Sequence, residues 1–255
     1  MRAKVLLFAG ALLALGGSGQ GASAAEIKVL TAGAFKQVLL EAIPAFEKET
    51  GHKVIVDNDT VGALMKRIDG GETFDLVVVS PGAIEDLAKK GKVVDKPGIK
   101  LARVGVGVMV KDGAPKPDIG SVEAFKQAVL AAKSVAYIDP ASGGSSGVYV
   151  EGLFAKLGIA DQVKPKAKLK KGGHVADLIS SGEAELGIHQ ISEIVSEKGV
   201  TLVGPLPAEI QNYTTYAVSW ATAAKDNAAV ATLLNYLAGP ALGPVLKAKG
   251  MESAH

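Results

Sequence analysis

Cysteine is absent from the 255-residue sequence. Its absence excludes disulfides, thiolate metal sites and cysteine nucleophiles, so the fold must be stabilised by its core alone. Long apolar runs are also missing: beyond the first 25 residues, no segment is continuously apolar over the ~20 residues that a membrane-spanning helix needs. With 48% apolar residues, the chain is long enough for one large domain or two small lobes.

The sequence also lacks an excess of charge of either sign. It contains 28 basic and 26 acidic residues, and two of the basic ones, Arg2 and Lys4, lie in an N-terminal segment without acids. The rest of the chain is therefore balanced. Proteins that bind nucleic acid normally present a basic field, so we expect no nucleic-acid partner.

The first 25 residues have the pattern of a secretory signal. Arg2 and Lys4 form a positive end, Val5 to Leu15 is apolar, and Ala22-Ser-Ala24 or Ser23-Ala-Ala25 is a small-x-small cleavage site. The alternative is an uncleaved membrane anchor, but the apolar stretch is short for a span. The sequence therefore predicts a protein that is exported to the periplasm and loses residues 1–25.

Beyond this leader, strand-like runs alternate with helix-like segments. The run from Phe74 to Ser80 is rich in β-branched residues and is bounded by Gly71 and Pro81, which is typical of a strand buried on both faces. This alternation predicts an α/β fold with open, mostly parallel sheets. Ligands of such sheets bind beyond the carboxyl ends of the strands.

Two loops between a predicted strand and a predicted helix are candidates for anion binding. The first, from Thr31 to Phe35, consists mainly of small residues, so that free N–H groups at a helix start can face an anion. The second, from Asp139 to Gly147, adds the hydroxyls of Ser142, Ser145 and Ser146 to several glycines. It predicts an oxyanion or carboxylate site, or a turn that only caps the helix predicted from Val148 to Leu157.

The second loop also matches a serine hydrolase motif. Its residues 143–147 read G-x-S-x-G around Ser145, and Asp177 and His189 follow in the hydrolase order. The motif requires a strand that runs almost directly into the serine, whereas Asp139 and Pro140 end the strand several residues earlier. A hydrolase is therefore the weakest of the functional interpretations.

His174 and His189 are the remaining candidates for chemistry. Each lies beside a turn or a strand end, where it can line a cleft, transfer protons or serve a purely structural role. No carboxylate stands at metal-ligand spacing on the same predicted element, so we expect no metal site. The lysine-rich segment 164–171 is interpreted as a solvated connection, with attraction of an anion as the alternative.

Five segments, in their order and spacing, resemble the periplasmic molybdate-binding proteins of ABC importers: Ile27–Phe35, Ala45–Gly51, Phe74–Ser80, Asp139–Tyr149 and Leu186–Ile188. The resemblance implies an α/β, two-lobed periplasmic binding protein fold with mostly parallel sheets and a double-crossover hinge. It places residues 26–107 and 217–252 in the first lobe and 108–216 in the second. It further implies a monomer without cofactor or metal, which closes on a small anion and docks on an ABC permease of the inner membrane.

The resemblance also implies a set of ligand-binding residues, and these depart from the molybdate pattern. Ala34 stands where molybdate binders have serine, Thr60 is the one hydroxyl of a loop that is serine-rich in them, Ser146 falls on a position that is usually alanine, and Gln190 replaces their tyrosine. A small organic carboxylate fits these changes better than molybdate, because a lost donor costs an oxyanion about 1–3 kcal/mol. The implied contacts are Gly33, Ala34, Phe35, Thr60, Gly62, Ser145, Ser146, Gly147, Gly173, His174, His189 and Gln190.

An isomerase is the alternative that this shift opens. Some periplasmic proteins that are similar to this family isomerise aconitate by moving a proton between two carbons of a tricarboxylate. If the protein is such an enzyme, His189 is the first candidate for the base and His174 the second. Lys36 or Lys66 would balance the substrate carboxylates. If it only binds, no catalytic residue is expected.

Overall fold

The computed structural model describes residues 24–254. The predicted signal peptide, residues 1–25, lies outside the described residues except for Ala24 and Ala25. The strands are β1 (Glu26–Ala32), β2 (Lys53–Asp59), β3 (Leu76–Val79), β4 (Ile99–Lys111), β5 (Val135–Ile138), β6 (Ala167–Lys170), β7 (Leu186–Gln190), β8 (Val200–Pro205), β9 (Tyr213–Trp220) and β10 (Glu252–Ser253). The helices are α1 (Gly33–Thr50), α2 (Val61–Asp69), α3 (Pro81–Lys89), α4 (Val122–Ala131), α5 (Ser145–Lys156), α6 (Ala160–Val163), α7 (Ala176–Ser180), α8 (Ile191–Val195), α9 (Ala228–Ala238) and α10 (Leu242–Ala248).

The sheet order among the described residues is β2-β1-β3-β9-β4-β7-β5-β6, with β10 and β8 also paired to β4. Strand β4 exchanges partners along its length: Gly105 pairs with Tyr213 of β9, whereas Val106 pairs with Gln190 of β7. The first lobe is thus built on β1, β2, β3, β9, β10 and the start of β4. The second lobe is built on the end of β4 and on β5 to β8.

Strand direction separates the lobe sheets from the crossovers. The pairs β1–β2, β1–β3, β5–β6 and β5–β7 are parallel. Every antiparallel pair between the named strands involves β4 or β9, the strands that run out to the second lobe and back. The predicted two-lobed α/β fold is confirmed. The residue boundaries predicted for the lobes stay a prediction.

Local sequence signals account for most helix starts. Ser121 and Thr60 cap α4 and α2 by accepting hydrogen bonds from the amides of Ala124 and Ala63, and Asn227 caps α9 in the same way. Gly51 ends α1 at φ 76°, a conformation that glycine adopts without a steric penalty. Capping of this kind supports each helix by about 1 kcal/mol.

The predicted start of the helix that follows the second loop is wrong. Helix α5 begins at Ser145 rather than Val148, and the Val148 side chain is 54% exposed. The buried face of α5 consists of Ser146, Gly147, Val150, Leu153 and Phe154. The lysine-rich connection contains strand β6, and its Lys166 ammonium donates hydrogen bonds to the carbonyls at the end of α4, those of Val129, Leu130 and Ala132.

The apolar side chains form separate clusters in the two lobes. The first-lobe cluster includes Phe35, Phe46 and Tyr216, and the second-lobe clusters include Phe125, Phe154 and Met109. Among the described residues, no single helix has the length and hydropathy to cross a membrane, although α9 and α10 meet that test together as a pair bent by 58°. The clusters leave the junction of the lobes to polar and small residues.

Candidate functional site

A cavity of about 170 Å³ lies where the two lobes meet. Its wall comes from the ends of β1, β2, β5 and β7 and from the starts of the helices that follow them. This is the position expected for a ligand at the carboxyl ends of parallel strands. The position of the cavity in the fold therefore makes it the candidate ligand site.

The cavity gathers most of the residues predicted from the sequence. Its wall includes Gly33, Ala34, Thr60, Ser145, Ser146, Gly173, His174, His189 and Gln190. It also includes residues that sequence reasoning missed, among them Asn58, Asp59, Glu193 and Tyr216. Three predicted residues, Phe35, Gly62 and Gly147, and the two lysines proposed to balance carboxylates, Lys36 and Lys66, are not on the wall.

Phe35 and Gly147 lie behind the wall. The Phe35 side chain is fully buried, with its ring centroid 6.2 Å from that of Tyr216, because its position on α1 turns it into the first-lobe core. Gly147 lets α5 pack against the sheet: a Cβ atom there would stand 2.2 Å from the carbonyl oxygen of Ile138. Both residues shape the cavity by packing.

Gly62 makes a backbone contact between the lobes. Its amide donates a hydrogen bond of 3.3 Å to the carbonyl of Gly143, and a Cβ atom on Gly62 would lie 2.9 Å from Gly143 Cα. Gly143 has φ 72°, so it also owes its conformation to the absence of a side chain. The pair holds the two lobes together at the edge of the cavity.

The Thr60 hydroxyl, expected to serve the ligand, is already bonded to the protein. It donates to the Ser142 carbonyl across the lobe junction at 2.5 Å and accepts from the Ala63 amide at 3.2 Å. The neighbouring carboxylate of Asp59 accepts from the Thr60 amide at 2.8 Å and lies 3.7 Å from Arg67 Nη1. The polar side chains on this part of the wall are therefore largely satisfied.

His189 is in a different situation. It is 2% exposed, its Nδ1 accepts a hydrogen bond of 2.7 Å from the Gln190 amide, and its Nε2 is buried without a partner among the described residues. Burial lowers the pKa of His189, and the nearby His174 lowers it further. The imidazole is therefore neutral, and because Nδ1 is an acceptor, its proton resides on Nε2.

Gln190 provides a second unsatisfied nitrogen. Its Oε1 accepts a hydrogen bond of 2.9 Å from the Tyr216 hydroxyl, which fixes the amide so that Nε2 is the donor end. This Nε2 is buried without a partner in the described part of the chain. Burial raises the pKa of Tyr216, so its hydroxyl keeps the proton that it donates to Gln190.

Glu193 is a buried ionisable residue of the wall that sequence reasoning missed. Its carboxyl lies 3.2 Å from His189 Nδ1 through Oε2, and a Cβ atom on Gly33 would stand 2.8 Å from Oε1. The pKa of Glu193 is raised to about 8, mainly by burial and also by the charge of Glu197, while Lys36 opposes the change. An acid in the otherwise apolar and neutral run Leu186–Val195 is the signal that a closer reading of the sequence offers.

His174 stands at the more open edge. Its Nδ1 lies 2.9 Å from Glu197 Oε1, and its side chain is 28% exposed. It is thus placed to contact a ligand and, as a second imidazole near His189, to influence its charge.

The arrangement does not form a serine hydrolase triad. The Asp177 carboxylate pairs with Lys170 at 2.9 Å, and His189 faces Glu193 instead. Ser145 lies in the first turn of α5, not at a sharp strand-to-helix elbow. Within residues 24–254, no group of three or more histidine and acidic side chains is arranged to hold a metal ion.

Comparison with known proteins gives a consistent result. The family model for bacterial extracellular solute-binding proteins matches residues 27–252. Aconitate isomerase of a Pseudomonas species is 32% identical over 232 residues, 89% of this chain and 87% of that protein. The molybdate-binding protein ModA of Azotobacter vinelandii is 30% identical over 239 residues, 90% of both chains. The solved structure of the periplasmic molybdate-binding protein of Azotobacter vinelandii covers 88% of this chain and 98% of its own, with 20% identity and a TM-score of 0.73.

Proposed function

The chain belongs to the bacterial extracellular solute-binding proteins, and from this premise we propose that it binds a small organic carboxylate between its lobes in the periplasm. In this role it delivers the anion to an ABC permease of the inner membrane, as the resemblance to molybdate-binding proteins supports. Closure of the lobes around the ligand is the signal that the permease reads.

The observation that carries this proposal is the pair of buried nitrogens that have no partner among residues 24–254, His189 Nε2 and Gln190 Nε2. A buried donor that lacks an acceptor destabilises the protein by about 1–3 kcal/mol, and a carboxylate oxygen supplies acceptors for both. The start of the 18-residue helix α1 borders the same cavity at Gly33 and favours a negative charge there.

Two features favour an organic carboxylate over a tetrahedral oxyanion. Of the two first-lobe positions that carry ligand-binding hydroxyls in molybdate binders, Ala34 has no hydroxyl and Thr60 has its hydroxyl bonded within the protein. The cavity of about 170 Å³ is similar to an engineered cavity of ~150 Å³ that holds benzene. There is room for a short carbon chain with more than one polar end.

A binding screen tests the proposal. The leaderless protein is titrated with trans-aconitate, citrate and molybdate, with thermal unfolding and calorimetry as readouts. A bound carboxylate raises the free energy of unfolding by about 2.7 kcal/mol at a concentration of 100 Kd. Micromolar affinity for molybdate together with no response to either organic acid would overturn the proposal.

The matched variants Gln190→Leu and Tyr216→Phe locate the contact. Gln190→Leu removes the free amide donor, and we expect about tenfold weaker binding of the carboxylate that responds in the screen. Tyr216→Phe removes the same Tyr216–Gln190 hydrogen bond but keeps Gln190 Nε2, so its affinity should fall less. Equal losses in both variants would show that the hydrogen bond, rather than the free nitrogen, matters.

Isomerisation of a polycarboxylate is the second candidate function. It is favoured by the buried imidazole and carboxyl groups that lie 3.2 Å apart in the cavity wall, and by the 32% identity to a protein named aconitate isomerase. Incubation of the protein with trans-aconitate, followed by proton NMR, tests it directly. Conversion to the cis isomer supports the enzyme, and unchanged substrate at saturating protein contradicts it.

A further inference from the structure

Two carboxyl groups border the cavity, and they differ in what holds them. Asp59 is engaged by the Thr60 amide and lies near Arg67. Glu193 is 8% exposed, lies against helix α1 of the other lobe, and has its nearest charged-type neighbour in His189. Of these two acids, Glu193 is the buried one, and no arginine or lysine of the described chain forms an ion pair with it.

The position of Glu193 depends on glycine in the opposite lobe. Helix α8 follows β7 directly, so Glu193 projects from the end of a strand across the lobe junction. Any side chain at residue 33 would collide with its Oε1 atom, since a Cβ atom there would be only 2.8 Å away. Gly33 therefore leaves the space in which the carboxyl lies beside the first residues of α1.

The imidazole beside it acts as a donor rather than a base. Nδ1 of His189 accepts from the Gln190 amide at 2.7 Å, which leaves the ring proton on Nε2, the unpartnered atom at the cavity. A nitrogen that carries a proton cannot remove one from a carbon atom. A second group in the wall must therefore supply the base of any proton transfer.

We propose that Glu193 is the catalytic residue that carries the proton in a 1,3-shift on an unsaturated polycarboxylate, with His189 Nε2 and Gln190 Nε2 as hydrogen-bond donors to the carboxylate of the substrate. This inference rests on the second candidate function above. The class of substrate has a methylene group between a carboxylate and a carbon–carbon double bond, as in trans-aconitate.

The step is balanced within the substrate and one side chain. Ionised Glu193 takes a proton from the methylene carbon, and the electron pair of that C–H bond forms a new double bond. The pair of the original double bond moves to the far carbon and onto its carboxylate. Glu193, now a carboxylic acid, returns the proton to the far carbon. No oxidant, reductant or co-reactant takes part.

The neighbouring groups suit this role. His189 Nε2–H and the Gln190 amide can donate to the carboxylate oxygens on which negative charge develops, the usual way in which buried donors lower such a barrier. The raised pKa of Glu193 makes its ionised form a stronger base than an exposed glutamate, while a usable fraction remains ionised near neutral pH.

Deuterium exchange tests the proposal even if conversion is slow. The full protein without its leader is incubated with trans-aconitate in D₂O, and loss of the methylene signal is followed by proton NMR. The wild type is compared with Glu193→Gln, which keeps the shape but cannot carry the proton, and with Glu193→Asp, which keeps the acid but shortens its reach. Glu85→Gln, the same change at an exposed position of α3, is the control.

We expect exchange in the wild type and the Glu85→Gln control, a loss of about 100-fold or more in Glu193→Gln, and an intermediate rate in Glu193→Asp. Calorimetry should show that Glu193→Gln still binds trans-aconitate. Exchange in Glu193→Gln at the wild-type rate would overturn the assignment. Binding by the wild type with neither exchange nor conversion to the cis isomer would overturn the proton shift but leave carboxylate binding intact, since an acid that returns the same proton moves it without exchange. Absence of binding to every carboxylate would overturn both.

Discussion

The two walls of the cavity use their polar groups in opposite ways. On the first-lobe wall, Thr60 and Asp59 are bonded to other parts of the protein, one of them across the lobe junction. On the second-lobe wall, His189 and Gln190 keep buried nitrogens without partners in the described chain, and Glu193 is buried as an acid. The first wall joins the two lobes, and in the proposed function the second wall supplies the groups that contact the ligand.

The largest effect that tests this difference is the pH dependence of stability. The pKa of Glu193 rises from 4.5 unfolded to about 8 folded, so its contribution to stability is full below about pH 4.5 and is lost as pH rises towards 8. Each pKa unit corresponds to 1.36 kcal/mol. Burial and the nearby His174 lower the pKa of His189, so the contribution of His189 to stability is lost as the pH falls below about 6.5, opposite to that of Glu193. Glu197 further raises the pKa of Glu193, and Lys36 lowers it.

Urea unfolding at pH 5, 6.5 and 8 provides the measurement. From pH 6.5 to 8 the free energy of unfolding of the wild type should fall, whereas that of Glu193→Gln should change little. From pH 5 to 6.5 the variant should become more stable, because the contribution of His189 is no longer offset by that of Glu193. Glu85→Gln should follow the wild type. An identical pH profile in Glu193→Gln and wild type would mean that Glu193 is not a buried titrating acid.

The next effect concerns closure. In Gly62→Ala, the added methyl group meets the backbone of Gly143 at 2.9 Å, and crowding of this kind costs about 1–3 kcal/mol. Because the contact joins the two lobes, we expect the added methyl group to destabilise the closed form. Ligand affinity should then fall by about 5- to 150-fold, with little change in the free energy of unfolding of the ligand-free protein.

Gly152→Ala is the matched control, since a Cβ atom in the middle of α5 would contact nothing within 4 Å. Its affinity should equal that of the wild type. An unchanged affinity in Gly62→Ala would show that the lobes do not need the contact between Gly62 and Gly143 when they hold the ligand.

The sequence was enough to predict which segments form the wall of the cavity, but not which of their side chains face it. Strand–loop–helix patterns are local signals, so the loops before α1 and α5 were predictable, together with Gly33 and Ser145, although α5 begins three residues earlier than predicted. Whether a residue on the first turn faces the cavity depends on rotation of the helix about its axis, which packing decides. Phe35 therefore lies in the core. Glu193 was missed because only the fold brings it beside Gly33, 160 residues away along the chain.

The smallest expected effect is that of Asp59→Asn. It removes a carboxylate from the first-lobe wall, as Glu193→Gln does from the second-lobe wall. Asparagine keeps an oxygen that can accept from the Thr60 amide, and the lost attraction to Arg67 acts over 3.7 Å at a partly exposed site, where such pairs contribute about 0–1 kcal/mol. Removal of a negative charge also reduces repulsion of an anion, which partly offsets that loss. Calorimetry should therefore give an affinity for trans-aconitate within about fivefold of the wild type, and deuterium exchange should continue.

If Asp59→Asn abolished exchange as Glu193→Gln is expected to do, both walls would take part in the chemistry. The division between a closing wall and a reacting wall would then be wrong.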